Sequence, residues 1–318
     1  MPKMPMKLTG FADEAGPTLA EQIRAHQALG WDSIEIRMVG AKPDDKNFTE
    51  LDDAAYRRSV AELRAAKMGV SCFGSPIANW ARKISGDFEL DLASLRRAAP
   101  RMRDLGVRLI RVMSYPNDGL SQADWFKEAV RRLKALAGIA EGEGVVLAHE
   151  NCSGYGGESP EMLGELLAAV PSPAFKVAFD TGNPPAHSGK NEDCVEGRTW
   201  AFYQVSKPRL AHVHIKDAKP GPEGKPVFCF PGEGAGEVRR VVEELAAPGY
   251  DGYLSIEPHI KSVVHLGKTG EPAGAYDTYI EYGRRMAAIL AEVGKEAKGV
   301  KGARGAKPAR GPRGRARG

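Results

Sequence analysis

Eight short runs rich in apolar residues alternate with longer amphipathic runs along this 318-residue chain, and this order restricts the fold more than any other feature. The expected strands are residues 8–11, 33–37, 70–74, 109–113, 145–150, 175–180, 210–215 and 252–257. The expected helices are residues 18–29, 52–67, 90–105, 124–143, 159–170, 199–205, 237–245 and 276–293. Strand followed by helix implies parallel strands joined by crossover helices. Eight units of similar length predict an α/β fold with a single (β/α)8 TIM barrel; a doubly wound open sheet is the alternative.

Glycines at the joints between helix and strand support this phasing. Gly30, Gly69, Gly106 and Gly144 each stand between an expected helix and the strand after it. A glycine directly after a helix adopts the left-handed cap conformation without steric cost. We therefore expect the barrel to occupy residues 1–293 as one domain.

Charge is distributed unevenly between the body of the chain and its C-terminal end. Residues 294–318 contain nine Lys or Arg and one acidic residue, and they hold no aromatic side chain. Such a segment cannot bury a core, so we expect a disordered basic tail with at most weak electrostatic contact to nucleic acid or acidic partners. Without the tail the formal charge of +4 becomes −4, which disfavours nucleic acid as a partner of the body.

We find no pattern typical of a signal peptide or a membrane span in the sequence, and no two cysteines with CxxC spacing. No apolar stretch follows the N-terminal residues as in a signal peptide, and no apolar run is long enough to span a membrane. The cysteines Cys72, Cys152, Cys194 and Cys229 are scattered and form no CxxC pair. We interpret them as reduced cysteines and predict a cytoplasmic protein that acts on a small molecule.

Ionisable side chains of the kinds that bind metals end four consecutive expected strands. The fifth strand ends with Glu150 and the sixth with Asp180, while the seventh carries His214 and the eighth ends with Glu257. The C-terminal ends of parallel barrel strands share one face, where active sites of this fold are built. One carboxylate at a strand end is usually a cap or a loop charge, but four such residues in the same phase indicate a common site.

Three carboxylates and one imidazole would form an oxygen-rich donor set. Such a set suits a divalent metal, with Mn²⁺ as the expected ion and Mg²⁺ or Co²⁺ as alternatives. The metal would polarise a carbonyl and gather the hydroxyl groups of a sugar. We expect Glu150 and Glu257 to act also as a catalytic acid/base pair, although they could be ligands alone. His212 shares a strand face with His214 and is expected one layer deeper.

These residues and several other motifs resemble the xylose-isomerase-like TIM-barrel superfamily, in particular its sugar phosphate isomerase/epimerase family, from about residue 8 to residue 293. The further motifs are Gly-Phe-Ala-Asp-Glu at 10–14, Ile-Glu-Ile-Arg at 34–37, Gly-Ser-Pro-Ile at 74–77 and Ile-Arg-Val-Met-Ser-Tyr at 110–115. The resemblance implies that the family's four metal ligands fall on Glu150, Asp180, His214 and Glu257. It also implies that the two glutamates are the acid/base pair.

Two positions depart from the ketose 3-epimerases of that family. Those enzymes carry a histidine that contacts substrate three residues after the metal aspartate, where this chain has Asn183. They carry an arginine six residues after the metal histidine, where this chain has Pro220. The resemblance therefore indicates the broader family rather than the ketose 3-epimerases.

Six polar or aromatic side chains are expected to contact substrate, because they lie near the expected strand ends or in the loops that follow. They are Lys216, Asn183, His187, His259, Arg111 and Trp80. We expect Lys216 to bind a substrate oxygen, unless it forms a surface ion pair with Asp217. Arg111 lies between apolar residues, so we expect it to be buried and to hold a carboxylate ligand.

The sequence thus predicts a metal-dependent sugar isomerase or epimerase. Its substrate would be a small sugar or keto-sugar, and the reaction would begin with proton abstraction next to a metal-bound carbonyl to give an enediolate. The alternative is a metal-dependent lyase or dehydratase that acts on a keto-glycoside or inosose with the same base and metal. The seven histidines and the acidic body disfavour a three-zinc nuclease of the endonuclease IV type. A non-catalytic binding barrel and a homo-oligomer stay open.

Overall fold

Eight parallel strands alternate with eight longer helices in the computed structural model, which describes residues 6–41, 45–186, 197–222, 225–247, 249–260 and 274–305. The barrel strands are β1 (Lys7–Gly10), β2 (Ser33–Ile36), β3 (Gly69–Gly74), β4 (Leu109–Ser114), β5 (Val146–Gly154), β6 (Phe175–Asp180), β7 (Leu210–Ile215) and β8 (Tyr253–Ile256). The helices are α1 (Leu19–Ala28), α2 (Asp53–Ala65), α3 (Glu89–Leu105), α4 (Gln122–Glu143), α5 (Pro160–Ala169), α6 (Arg198–Ser206), α7 (Val238–Ala246) and α8 (Ala275–Gly305). All sixteen predicted elements are confirmed, with boundaries that differ by a few residues except at the end of α8.

The strands form one sheet in the order β1-β8-β7-β6-β5-β4-β3-β2, and every pairing is parallel. The first and last strands of this order meet through one parallel bridge between Phe11 and Glu35. The sheet is therefore a nearly closed barrel. This confirms the predicted (β/α)8 architecture over the open doubly wound sheet.

Local sequence signals explain where most helices begin and end. The Thr18 hydroxyl accepts a hydrogen bond from the Glu21 backbone in a capping box at the start of α1. Gly106 and Gly144 end α3 and α4 with positive φ angles of 67° and 69°, as expected. The expectation for Gly69 was wrong, because it is the first residue of β3 and the left-handed conformation falls on Lys67, with φ of 54°.

The strands bury apolar side chains outward against the helices and polar ones inward. In β6, Phe175, Val177 and Phe179 are fully buried, and each contributes about 1.5–3 kcal/mol through removal of apolar surface from water. Inside the barrel, the hydroxyl groups of Thr9 and Ser71 donate hydrogen bonds to backbone carbonyls of β2. Part of the polar interior is therefore paired with the backbone of a neighbouring strand.

Several features outside the barrel strands were not predicted. Short hairpins join Met38–Val39 to Lys46–Asn47 and Ala218–Pro220 to Pro226–Phe228, in the loops that follow β2 and β7. The helix α8 continues past residue 293 to Gly305, so the expected boundary between barrel and tail lies within a helix.

Two expectations about the whole molecule concern its tail and its location. Residues 306–318 of the expected disordered tail lie outside the described residues. Among the described helices, none is both long enough and apolar enough to cross a bilayer. The cytoplasmic location and the homo-oligomer stay predictions.

Candidate metal centre

Four neighbouring strands place the predicted metal ligands side by side. Asp180 is paired in register with His214, and Glu150 is paired with Ala178 just before Asp180. Glu257 directly follows the end of β8, the neighbour of β7. One potential ligand atom from each of Glu150, Asp180, His214 and Glu257 lies within 4.8 Å of the others. All four residues are buried, so the structure brings the predicted ligand set together.

The buried Nδ1 of His214 makes no hydrogen bond among the residues that the structure describes. The buried Oδ2 of Asp180 has an ion-pair contact with Nζ of Lys216 at 3.2 Å. The other carboxylate oxygen of Asp180 accepts hydrogen bonds from the backbone of Gly182 at 2.8 Å and of Asn183 at 2.6 Å, which fixes the direction of Oδ2. A buried lone pair without a donor is costly, so this donor set fits a divalent cation.

Arginines from nearby strands hold the two glutamates: β4 is the direct neighbour of β5, and β2 lies two strands from β8. Arg111 in β4 donates to Glu150 Oε2 at 3.1 Å, and Arg37 after β2 donates to Glu257 Oε1 at 2.8 Å. Burial opposes ionisation of Glu150, but Arg111 and His214 outweigh it and lower its pKa to about 2. For Glu257 burial is outweighed by Lys216, His259 and Arg37, so its pKa also falls well below the usual range. Both glutamates are therefore carboxylates at neutral pH.

The pKa values of Asp180 and His214 are raised, whereas those of the two glutamates are lowered. Burial raises the pKa of Asp180 to about 6; Lys216 opposes this change, while Glu257 and Glu150 add to it. Burial disfavours the imidazolium form of His214, but Glu35 and Glu150 outweigh it and raise its pKa to about 10. The raised pKa of His214 means that the neighbouring carboxylates favour positive charge at its position.

Lys216 is part of the site and not of the surface. Its Nζ lies 2.5 Å from Glu257 Oε2 and 3.2 Å from Asp180 Oδ2, and these carboxylates raise its pKa despite burial. Asp217 is buried apart from it and accepts hydrogen bonds from the backbones of Gly232 and Gly236. The alternative of a surface ion pair between Lys216 and Asp217 was therefore wrong.

A second layer beneath the ligands consists of Glu35 and His212. Glu35 in β2 contacts Nε2 of His212 at 2.7 Å and Nε2 of His214 at 3.2 Å. Both residues are fully buried, as expected for the deeper histidine His212. The contacts of Glu35 were not predicted, because its partners lie 177 and 179 residues away in the chain.

Glu14, in the loop after β1, is a further contributor, which the sequence analysis did not single out. Its carboxylate accepts hydrogen bonds from the backbone of His259 at 2.8 Å and contacts the His259 ring at 2.7 Å. Asp13 beside it accepts a hydrogen bond from Arg37 at 2.9 Å. Asp13 and Glu14 lie within the Gly-Phe-Ala-Asp-Glu motif, which carried the family resemblance but no assigned role.

A cavity of about 590 Å³ opens above the cluster, which is large enough for a sugar-sized molecule. Its lining includes both glutamates of the cluster and four of the six predicted substrate contacts. These residues are Glu150, Glu257, Lys216, His259, Arg111 and Trp80. Trp80 is 47% exposed at the mouth. Asn183 is buried and donates a hydrogen bond to Glu150 Oε1 at 3.0 Å, and His187 lies outside the described residues.

Comparisons with known proteins agree with this fold. The family model for the xylose isomerase-like TIM barrel matches residues 23–286. A solved structure of a xylose isomerase-like TIM barrel protein from Mycobacterium smegmatis, in complex with magnesium, gives a TM-score of 0.64 at 15% identity. The match covers 91% of this chain and 98% of that one, and at this identity it establishes the fold alone.

Two curated relatives align with part of the chain. A 2-epi-5-epi-valiolone 7-phosphate 2-epimerase from Actinoplanes sp. is 29% identical over 151 residues, which are 48% of this chain and 50% of the epimerase. An inosose dehydratase from Clostridium botulinum is 26% identical over 139 residues, which are 39% of this chain and 44% of the dehydratase. The chain thus spans about half the length of these curated relatives, one an epimerase and the other a dehydratase.

Proposed function

The chain belongs to the xylose isomerase-like TIM barrel family, and from this we propose that it is a divalent-metal-dependent isomerase or epimerase of a small sugar or keto-sugar. One observation carries the proposal: Glu150, Asp180, His214 and Glu257 converge within 4.8 Å of one another beneath a cavity that both glutamates line. Metal ligation and proton transfer can then occur at one place.

We assign the metal to these four residues, with Mn²⁺ as the preferred ion and Mg²⁺ or Co²⁺ as alternatives. The buried Nδ1 of His214 supports this assignment, because it has no hydrogen-bond partner among the residues that the structure describes. The predominance of oxygen donors favours hard divalent ions. When bound, such an ion supplies Lewis-acid polarisation of a substrate carbonyl.

Glu150 and Glu257 then serve as the acid/base pair. Both line the cavity, and each has its position fixed by an arginine on one carboxylate oxygen. One carboxylate removes the proton from the carbon beside the carbonyl, which leaves an enediolate. The first glutamate, now protonated, can return the proton to the neighbouring carbon, which isomerises the sugar. A proton that the other glutamate takes up from solvent and delivers to the opposite face of the original carbon inverts that centre.

The remaining cavity residues bind and orient the substrate. The Lys216 ammonium group is placed to donate to an oxygen that gains negative charge, beside Glu257. His259 and Trp80 form part of the wall, and Arg111 contributes its guanidinium while it holds Glu150. Asn183 acts indirectly through its hydrogen bond to Glu150, and a substrate contact of His187 stays a prediction.

A metal-dependent lyase or dehydratase acting on a keto-glycoside or inosose is the second candidate. The match to inosose dehydratase supports it, and the proton abstraction would be the same. The two reactions differ in what happens next, because a lyase must protonate a departing hydroxyl or glycosyl oxygen. The ammonium group of Lys216 lines the cavity and would be the nearest donor to Glu257 for that step.

Deuterium incorporation from D₂O tests this proposal and separates its two outcomes. The protein, supplied with Mn²⁺, is incubated with ketoses, phosphorylated ketoses, keto-glycosides and inososes, and each product is examined by NMR and mass spectrometry. We expect one substrate to gain deuterium at one carbon without loss of water. Loss of water or of an aglycone assigns the lyase reaction instead. The absence of any exchange with the whole panel, with metal bound, contradicts both candidates.

A further inference from the structure

Glu35 stands between two imidazole rings in the interior of the barrel. Its Oε2 lies 2.7 Å from Nε2 of His212, and its Oε1 lies 3.2 Å from Nε2 of His214. The two rings stand nearly perpendicular, at 88°, with centroids 5.1 Å apart. All three side chains have no exposed surface, and none of them lines the cavity.

We propose that Glu35 is a positioning residue that selects which nitrogen of His214 faces the metal centre. An ionised carboxylate only accepts hydrogen bonds, so it requires a proton on Nε2 of both histidines. With Nε2 of His214 committed to Glu35, Nδ1 is directed to the cluster, 3.6 Å from Glu150 Oε1. The inference rests on the proposed metal site, because Nδ1 matters only as a metal ligand.

Burial supports this role. The side chains of Glu35, His212 and His214 have no exposed surface, so water does not compete for the contacts between the carboxylate and the two imidazoles. Partners that fix the free nitrogen of a metal-binding histidine orient the ring and increase its basicity. Glu35 therefore acts on the metal through His214, from across the barrel.

The same three residues could hold a cation of their own, since their potential ligand atoms also lie within 4.8 Å of one another. The short contacts of Glu35 favour hydrogen bonds instead, because each of its oxygens already has one imidazole partner. The ring nitrogen Nε2 of His214 cannot donate a proton and ligate a second ion at once. A second bound cation is therefore the outcome that would contradict the proposed role.

The substitution Glu35→Gln preserves the shape of the side chain but removes one of its two acceptors. The amide oxygen can accept from one imidazole, while the amide nitrogen can only donate to the other. One histidine must then move its proton to Nδ1. When that histidine is His214, its proton occupies the position needed for the metal.

The experiment measures Mn²⁺ affinity by calorimetry for the wild type, Glu35→Gln and the control Asp91→Asn. Asp91 is also a buried carboxylate, but it contacts the backbone of Ala78 outside the barrel interior. We expect Glu35→Gln to bind about 10- to 100-fold more weakly and Asp91→Asn to bind as the wild type does. In the double variant Glu35→Gln/His212→Leu the amide oxygen is free for His214, so we expect affinity to recover in part.

A measurement on the wild-type protein tests the inference even if Glu35→Gln does not fold. In the Zn²⁺-loaded protein with ¹⁵N-labelled histidine, NMR should show His214 protonated at Nε2 and coordinated through Nδ1. Coordination through Nε2, two bound cations per chain, or unchanged affinity in folded Glu35→Gln would overturn the inference while the metal-centre proposal survives. A wild-type chain that binds no divalent cation would overturn both.

Discussion

The two halves of the barrel contribute different chemistry to one site. The donor half, strands β5 to β8, supplies the potential ligands Glu150, Asp180, His214 and Glu257 at its strand ends. The support half, strands β1 to β4 with the loops that follow them, supplies the groups that hold these ligands in position. Those groups are Arg37 on Glu257, Arg111 on Glu150 and Glu35 on His214.

The difference between the halves is one of charge and of role. In the support half the ring of Phe11 lies under both guanidinium groups, 4.2 Å from Arg37 and 5.7 Å from Arg111. Such contacts with buried cations contribute up to about 2 kcal/mol. The donor half alone would be a cluster of mutually repelling carboxylates. The arginines of the support half reduce the energetic cost of burying these carboxylates, and they leave free the lone pairs that a metal needs.

The largest expected effect comes from removing a proton-transfer group of the donor half. Glu257→Gln should lower the rate of deuterium exchange by about 10²- to 10⁴-fold, because an amide cannot accept the substrate proton. The matched control is Glu50→Gln, since Glu50 lines the same cavity but pairs with Arg82 at its rim. We expect the control to retain exchange near the wild-type rate. Comparable rates in the two variants would contradict the role of Glu257.

The difference between the two halves also explains which site residues could be identified from the sequence alone. Glu150, Asp180, His214 and Glu257 were identifiable because each comes at the end of an apolar strand, and parallel strands share that edge. The barrel itself followed from eight repeats of strand and helix. Local pattern was sufficient in both cases.

The support half was harder to predict, because its partners are distant in sequence. Arg111 was expected to hold a carboxylate, but which one depends on the pairing of β4 with the neighbouring strand β5. The partners of Glu35 and Glu14 were not predicted, since they lie 179 and 245 residues away. The pairing of such residues depends on barrel closure, and periodicity in one sequence does not report it.

The second prediction concerns the support half itself. Arg111→Met should reduce the free energy of unfolding of the metal-free protein by about 3–5 kcal/mol, because it leaves the buried carboxylate of Glu150 unpaired. Side-chain exposures of 6% and 3% mean that solvent cannot replace the lost partner. Urea denaturation at pH 7 in the presence of a chelator measures this effect.

Arg64→Met is the control for Arg111→Met. Arg64 also pairs with a carboxylate, that of Asp104, but the two side chains are 62% and 45% exposed. An exposed pair of this kind contributes about 0–1 kcal/mol. If Arg111→Met cost no more than Arg64→Met, the support half would not stabilise the cluster as we describe.

The third prediction tests whether the added metal binds to the donor half. Mn²⁺ at 100 times its dissociation constant should raise the free energy of unfolding of the wild type by about 2.7 kcal/mol. In Asp180→Asn this increase should largely vanish, because a donor is weakened, whereas Asp91→Asn outside the site should retain it. Thermal denaturation with and without the metal provides the measurement. Equal stabilisation of both variants would mean that the cation binds elsewhere.

The smallest expected effect lies at the cavity mouth, in the loop that follows β3. Trp80→Ala should raise KM about fivefold with little change in kcat, since stacking on an aromatic ring contributes on the order of 1 kcal/mol. Stability should change little, because Trp80 is 47% exposed. Leu90→Ala, which removes a similarly exposed apolar side chain away from the cavity, should leave KM unchanged. A fall in kcat for Trp80→Ala would instead place Trp80 in the chemical step.

The central claim is that the donor half binds one divalent cation, and anomalous diffraction from crystals grown with Mn²⁺ tests it most directly. The account predicts one strong anomalous peak per chain, about 2 Å from carboxylate oxygens of Glu150, Asp180 and Glu257 and from Nδ1 of His214. A peak at any other place, or no peak at these strand ends in crystals saturated with Mn²⁺, would contradict it.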